Sequence, residues 1–156
     1  LGFDEKFLEE EKQLLNDQII SIRQLKIIAT DISEDAINIS KINAGAAGVA
    51  DLIKFEVCDF EETYIPENEN GIVFFNPEYG ERLGDEIELE KTYARIGDFM
   101  KKKCKGYTGY VFTGNLNLAK KIGLKAKRRI EFYTSKIDCR LLEYELYSGS
   151  RKTDDK

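Results

Sequence analysis

Hydrophobic positions recur at helical spacing over residues 1–25, where Phe7, Leu8, Leu15, Ile19 and Ile22 align and Glu9, Glu10, Glu11 and Lys12 take the wet side. This pattern predicts an amphipathic lead-in helix. The spacing then shortens to a compact apolar run, LKIIAT (25–30), predicted as a strand. A second helix follows it. Ser33 suits its N-cap, Glu34 and Asp35 suit its electropositive first turn, and Gly45 or Gly48 ends it. IKFEVC (53–58) and GIVFF (71–75) read as further strands, bounded by acidic or turn-forming residues such as 66–70.

The same alternation continues downstream. Residues 89–103 are predicted helical, with Tyr93, Ile96, Phe99 and Met100 on one stripe. YTGYVFT (107–113) is a strand expected to be buried on both sides. Asn115 caps a short helix that runs to Ile122 and stops at Gly123. Residues 128–133 and 140–147 are β-rich runs joined by a turn over 134–138, and the polar tail 148–156 is expected to fray. Alternating strands and helices that end in a hairpin predict an α/β fold, a three-layer sandwich around a mostly parallel sheet with a C-terminal antiparallel hairpin. No repeat, low-complexity stretch or internal boundary interrupts the 156 residues, so one domain is expected.

Composition narrows the chemistry. The chain has no histidine, which removes Ser-His-Asp and Cys-His catalysis and most transition-metal sites, so no metal is expected. Cys58, Cys104 and Cys139 are widely spaced, with no CxxC pattern, and fit reduced thiols in a cytoplasmic protein. The apolar runs are strand-sized, far short of the roughly 20 residues that span a bilayer. The net charge of −5 hides an asymmetry. Residues 101–140 hold twelve Lys or Arg against Glu131 and Asp138, a balance of +10, while the remaining 116 residues stand at −15. Two readings fit the basic segment: a face for a polyanion such as RNA, with Lys127, Arg128 and Arg129 as its densest cluster, or solvated helix and strand faces.

In an open parallel sheet, ligands sit beyond the carboxyl ends of the strands. Asp31, Asp59 and Asn76 each follow a predicted strand and are expected on that rim. An acid after such a strand can accept both hydrogen bonds of a ribose diol, and Ile32 would then lie against an adenine face. Asp31 fits this role, and it equally fits a helix-entry acid beside Ser33. In Asn76-Pro77-Glu78-Tyr79 two oxygens, the Asn76 side-chain carbonyl and the Pro77 backbone carbonyl, can hold the hydrogens of an exocyclic base amine. That amine is otherwise a poor nucleophile because its lone pair is delocalised into the ring. Pro77 restricts Asn76 to extended geometry, and Tyr79 can stack on an extruded base. The alternative is a plain Asn-Pro β-turn.

FFNPEYGERLG (74–84) resembles the NPPY motif of Rossmann-like amino-methyltransferases acting on nucleic-acid bases. GDFMKKKCKGYTGYVFTGNLNLAKKIGLKAKRRIEFYTSKIDCRLLEYEL (97–146) is similar to the end of the bacterial THUMP-associated RNA methyltransferases, nearest the guanine 2-amino methyltransferases of large-subunit ribosomal RNA. DISEDAINISKINAGAAGVADLIKFEVCDF (31–60) is similar to that family's ribose and adenine segments. The likeness spans residues 26–147, and NPxYGERLG is its most specific element. It implies that Asp31 holds the ribose of S-adenosylmethionine with Ile32 against the adenine, that Asp59 takes the adenine amine beside Phe60, and that Asn76, Pro77 and Tyr79 hold the target base.

The chain departs from the family pattern in two places. The second motif proline is Glu78 here, which makes the loop less rigid and the base pocket more acidic. The strand and glycine-rich turn that cradle the cofactor's methionine end do not precede Asp31, nor does a THUMP domain. The sequence therefore predicts a catalytic-domain fragment whose partners are RNA, ribosomal RNA foremost, and an upstream part of the same protein. Other readings are an adenine 6-amino methyltransferase, a non-catalytic fragment that binds RNA or a partner, and, last, a dinucleotide oxidoreductase suggested by Asp31 alone.

Overall fold

Asp4 opens helix α1 (Glu5–Asp17) by accepting hydrogen bonds from the backbone N–H groups of Lys6 and Phe7. The computed structural model describes residues 4–19, 26–66, 70–79, 86–134 and 137–147. The chain divides into two compact units, Leu1–Asp59 and Phe60–Lys156. Helix α1 is shorter than its predicted 25 residues. Its sequence stripe is present, yet no residue in it is buried, and Ile19 beyond it is 73% exposed. Ile22 and the rest of 20–25 lie outside the described residues, as do 67–69 of the predicted turn, Gly80–Gly84 of the motif and the 148–156 tail.

In the first unit, β1 (Ile27–Asp31) and β2 (Ile53–Val57) pair in parallel, with Ile27 opposite Ile53 and Asp31 opposite Val57. Helix α2 (Glu34–Ala46) makes the crossover a parallel pair requires. The Ser33 hydroxyl accepts from Ala36 N–H at its start, as predicted. Its end is a Schellman closure, in which Val49 N–H donates to Ala44 O (2.9 Å) and Gly48 N–H to Gly45 O (3.0 Å). Gly48, at φ +70°, supplies the left-handed residue, while Gly45 stays inside the helix. Ile37 and Ala44 are the residues that α2 buries.

The second unit contains β3 (Ile72–Phe75), α3 (Glu86–Lys103), β4 (Thr108–Thr113), α4 (Leu116–Lys121), β5 (Arg128–Thr134) and β6 (Ile137–Glu145). Its sheet has the order β3-β4-β6-β5. β3 and β4 are parallel, and β6 is antiparallel to both β4 and β5, so one strand of the four runs backwards. The predicted α/β class and C-terminal hairpin hold. The hairpin is tighter than expected, because β5 reaches Thr134 and β6 already starts at Ile137. Ladder pairing through this stretch outweighs its turn-like polar composition, and Cys139 thereby falls inside a strand.

Tyr93, Ile96, Phe99 and Met100 form the predicted α3 stripe and are all buried, packed with Val111, Leu118, Ile122, Leu142 and Tyr144. Asn115 caps α4 by accepting from Asn117 and Leu118 N–H. β4 corrects one expectation. Its Gly109, Val111 and Thr113 are buried, but the alternate residues Thr108, Tyr110 and Phe112 are only half-buried. In this unit the strand is covered fully on one side, so the period of two survives.

Helices α3 and α4 meet where Gly97 has no side chain, and a Cβ there would lie 1.9 Å from the Ile122 carbonyl oxygen. Backbone cannot yield as a flexible side chain does. Gly97→Ala is expected to destabilise the protein by about 3 kcal/mol or more, the upper range for overpacking, read as a lower denaturant midpoint at unchanged slope.

Candidate functional site

The parallel register of the first unit sets the ends of β1 and β2 side by side, and Cys58 N–H donates to Asp31 O across them (3.0 Å). Asp31, the last residue of β1, and Asp59, just past β2, therefore share the carboxyl rim of this pair. The helix-entry reading of Asp31 is the one seen directly. Its Oδ1 accepts from Ser33 N–H (2.8 Å), which ties it to the entry of α2. The carboxylate is exposed, and its Oδ2 has no recorded partner among the described residues, so it can accept from a hydroxyl. Ile32 beside it is 75% exposed, an apolar surface that would cost less covered than wet.

Phe60 opens the second unit in a single-turn helix, Phe60–Glu62. Its ring stands edge-on to Phe75 and Phe99 at 5.6 and 5.7 Å, and the Arg95 guanidinium lies over it, 4.9 Å from the centroid. Arg95 also donates twice to Glu61 Oε2 (3.0 and 2.7 Å), while Lys103 Nζ donates to Glu61 O (2.7 Å). The turn that carries Phe60 is thus clamped to α3 from two sides. Sequence reading missed this clamp, since Arg95 and Glu61 are 34 residues apart and neither belongs to a motif.

β3 releases Asn76-Pro77-Glu78-Tyr79 at its carboxyl end, where Phe75 is held edge-on by Phe60 and Phe99. The four residues form neither helix, strand nor hydrogen-bonded turn, and they alternate: Asn76 and Glu78 exposed, Pro77 and Tyr79 half-buried. Pro77 disfavours helical backbone at Asn76 before it. The Asn76 carboxamide has no partner among the described residues and is free to accept from a ligand amine.

Tyr79 leans the other way, into buried polar ground. The Cys139 thiol donates to its hydroxyl oxygen over 4.0 Å. Next to it, Tyr93 Oη and Thr113 Oγ1 share a 2.7 Å hydrogen bond inside the core, and Thr113 Oγ1 also accepts from Asn115 N–H (3.0 Å). The contact with Cys139, then partial burial, pushes the Tyr79 phenol above its ordinary 10.0. Burial first, offset by the bond to Thr113, raises Tyr93. Burial also pushes the Cys104 thiol up to about 11, which leaves it protonated and unsuited to nucleophilic chemistry.

The basic cluster on β5 is less bare than its sequence suggests. Lys127 pairs with Glu145 (3.1 Å) and Arg128 with Glu143 (3.4 Å), both acids of β6, whereas Arg129 has no ion pair among the described residues. Among the described residues no helix is long and apolar enough to cross a membrane.

Comparisons with known proteins agree with this architecture. The model of the RMKL-like methyltransferase domain family matches residues 3–143. The chain is 36% identical over 123 residues to the ribosomal RNA large subunit methyltransferase K/L of Syntrophotalea carbinolica, covering 77% of this chain and 17% of that protein. Among solved structures, a protein of Clostridium difficile 630 described as a possible methylase superposes with a TM-score of 0.80 at 28% identity, over 96% of this chain and 39% of that one. SMU.472, described as a putative methyltransferase complexed with SAH, shares the fold with a TM-score of 0.79 at 22% identity, over 95% of this chain and 39% of that one. The chain thus spans about a sixth of the length of the curated relative. It belongs to the RMKL-like methyltransferase domain family, a group whose cofactor is S-adenosylmethionine.

Proposed function

We propose that this chain is part of the catalytic domain of an RNA methyltransferase that modifies an exocyclic base amine, the 2-amino group of a guanine in large-subunit ribosomal RNA. The observation that carries the reading is Asn76-Pro77-Glu78-Tyr79 following the carboxyl end of β3, with Asn76 exposed and its carboxamide unpartnered among the described residues. The ribosomal RNA methyltransferase to which the chain is similar supports RNA as the substrate. The choice of guanine follows from the resemblance of residues 97–146 to guanine 2-amino methyltransferases.

S-adenosylmethionine, when bound, supplies the methyl group. The exposed Asp31 carboxylate suits the ribose diol, Ile32 the adenine face, and Asp59 the adenine amine, with Phe60 as its apolar neighbour. Asn76 Oδ1 and the Pro77 carbonyl oxygen accept the two hydrogens of the target amine. That pairing draws the nitrogen out of conjugation and aims its lone pair. As positive charge develops on nitrogen, the same oxygens stabilise it, and the proton then leaves to water. No strong base is required, in keeping with a chain that lacks histidine. Tyr79 stacks on the extruded base. Of the basic cluster, Arg129 is the cation most available to a phosphate, because Glu145 and Glu143 already oppose Lys127 and Arg128.

In the full-length protein, Asn76→Ala should lower single-turnover methyl transfer by about a hundredfold or more, on the order of 3 kcal/mol, with cofactor affinity within a few-fold of wild type. Near-normal turnover would return residues 76–79 to an ordinary loop. Tyr79→Ala should cost roughly 1–3 kcal/mol in base stacking, while Tyr79→Phe, which keeps the ring, should stay within about five-fold of wild type. Mass analysis of the product nucleoside separates guanine from adenine. Neutralising Lys127, Arg128 and Arg129 together should weaken RNA binding and flatten its salt dependence by fewer than three charges, Arg129→Gln alone accounting for about one. An unchanged slope of log affinity against log salt would return all three to the solvated surface.

A further inference from the structure

Cys139 has no place in any catalytic motif, yet its thiol is fully buried and donates to the Tyr79 hydroxyl. Its position follows from the one reversed strand. β6 begins where β4 ends, with Arg140 opposite Thr113, so Cys139 stands one residue past that pairing. That end of the sheet is the rim where β3 releases Asn76. Cys139 also pairs in register with Phe132 across the hairpin. Thr113, the last residue of β4, and Tyr93 are buried and hydrogen-bonded to each other at the same end of the sheet. A tyrosine that stacks on a mobile base needs its ring plane held before the base arrives, since ordering it during binding would weaken affinity.

We infer that Cys139 is a positioning residue for Tyr79, holding the phenol tip at the sheet rim so that the ring face stays presented to the target base. The inference rests on the reading of Tyr79 as the base-stacking side chain. A thiol suits the task because it is a weak donor on a small apolar body. It can be sealed without the desolvation penalty of a stronger polar group, and it biases the ring without locking it.

The test uses the full-length protein with tyrosine labelled at Cζ, which reports the hydroxyl's contact, and at the paired Cε positions, which report ring flips, the Tyr79 resonances being assigned by their loss in Tyr79→Phe. Cys139→Ala, and Cys139→Val to fill the same space without a donor, should shift the Tyr79 signal and speed its ring flips at neutral pH. In methyl transfer to RNA, Cys139→Val and Tyr79→Phe should each lower kcat/KM by about two- to five-fold, chiefly through KM for RNA, with cofactor affinity unchanged. The double variant should be no worse than Tyr79→Phe alone, because both remove one contact. A Tyr79 signal unmoved in both Cys139→Ala and Cys139→Val, or a double variant whose loss is the product of the single losses, would overturn the inference. Absence of any methylated guanine with the wild-type protein would instead sink the proposed function, while the resonance measurement would still decide whether Cys139 holds Tyr79.

Discussion

Six residue pairs join β4 to β6 in opposite directions, from Thr108 with Glu145 to Thr113 with Arg140. This antiparallel ladder ties the parallel β3–β4 pair to the C-terminal hairpin, and it is the constraint on which the second unit depends. A slip of one residue would exchange the buried and half-buried sides of β4 and carry Val111 and Leu142 away from the α3 stripe. It also sets polarity. Because β6 runs backwards, its first residues meet the last of β4, and side chains 60 residues apart in sequence, Tyr79 and Cys139, come into contact.

Helix α3 turns that ladder into a core. Tyr93, Ile96, Phe99 and Met100 fill the space above β4 and β6, and the absence of a side chain at Gly97 lets α4 approach until the Ile122 carbonyl sits against the α3 backbone. The Tyr93 hydroxyl is the one polar group on this stripe, and Thr113 satisfies it (2.7 Å). Left unpaired, a hydroxyl so deeply buried would cost about 1–3 kcal/mol, so the pair sets both the helix rotation and the end of β4. The same helix reaches outward through Arg95 and Lys103 to the Phe60–Glu62 turn. Core packing and the placement of a proposed cofactor neighbour are thereby mechanically linked.

Charge follows the strands rather than the linear sequence. The basic 101–140 segment contributes Lys127 and Arg128 to one strand of the hairpin, and the acids Glu143 and Glu145 stand on the other. The Lys127–Glu145 pair is exposed and adds little stability, whereas Glu143 is buried beside Arg128; both pairs cancel much of the local field that a count along the chain would suggest. Arg140 repeats the pattern with Asp138 and Glu131.

The element order, the caps and the stripe of α3 were all legible in the sequence, because hydrophobic period, Ser33, Asn115, Gly48 and Gly123 act over a few residues of neighbouring chain. The chemistry proposed for residues 76–79 also starts from a local feature, an amide oxygen beside a restricting proline. The extent of β6 was not legible there. The composition of residues 134–138 reads as a turn, and strand pairing between Thr134 and Ile137 decides otherwise through hydrogen bonds that no local propensity contains. The α1 stripe was read correctly but its burial was not, because an apolar period states which face seeks cover and not what lies against it. The Arg95–Glu61 clamp, the Tyr93–Thr113 pair and the Cys139–Tyr79 contact belong to the tertiary structure alone. Each joins residues at least 20 positions apart, and only the crossover of α3 and the reversal of β6 bring them within hydrogen-bonding distance.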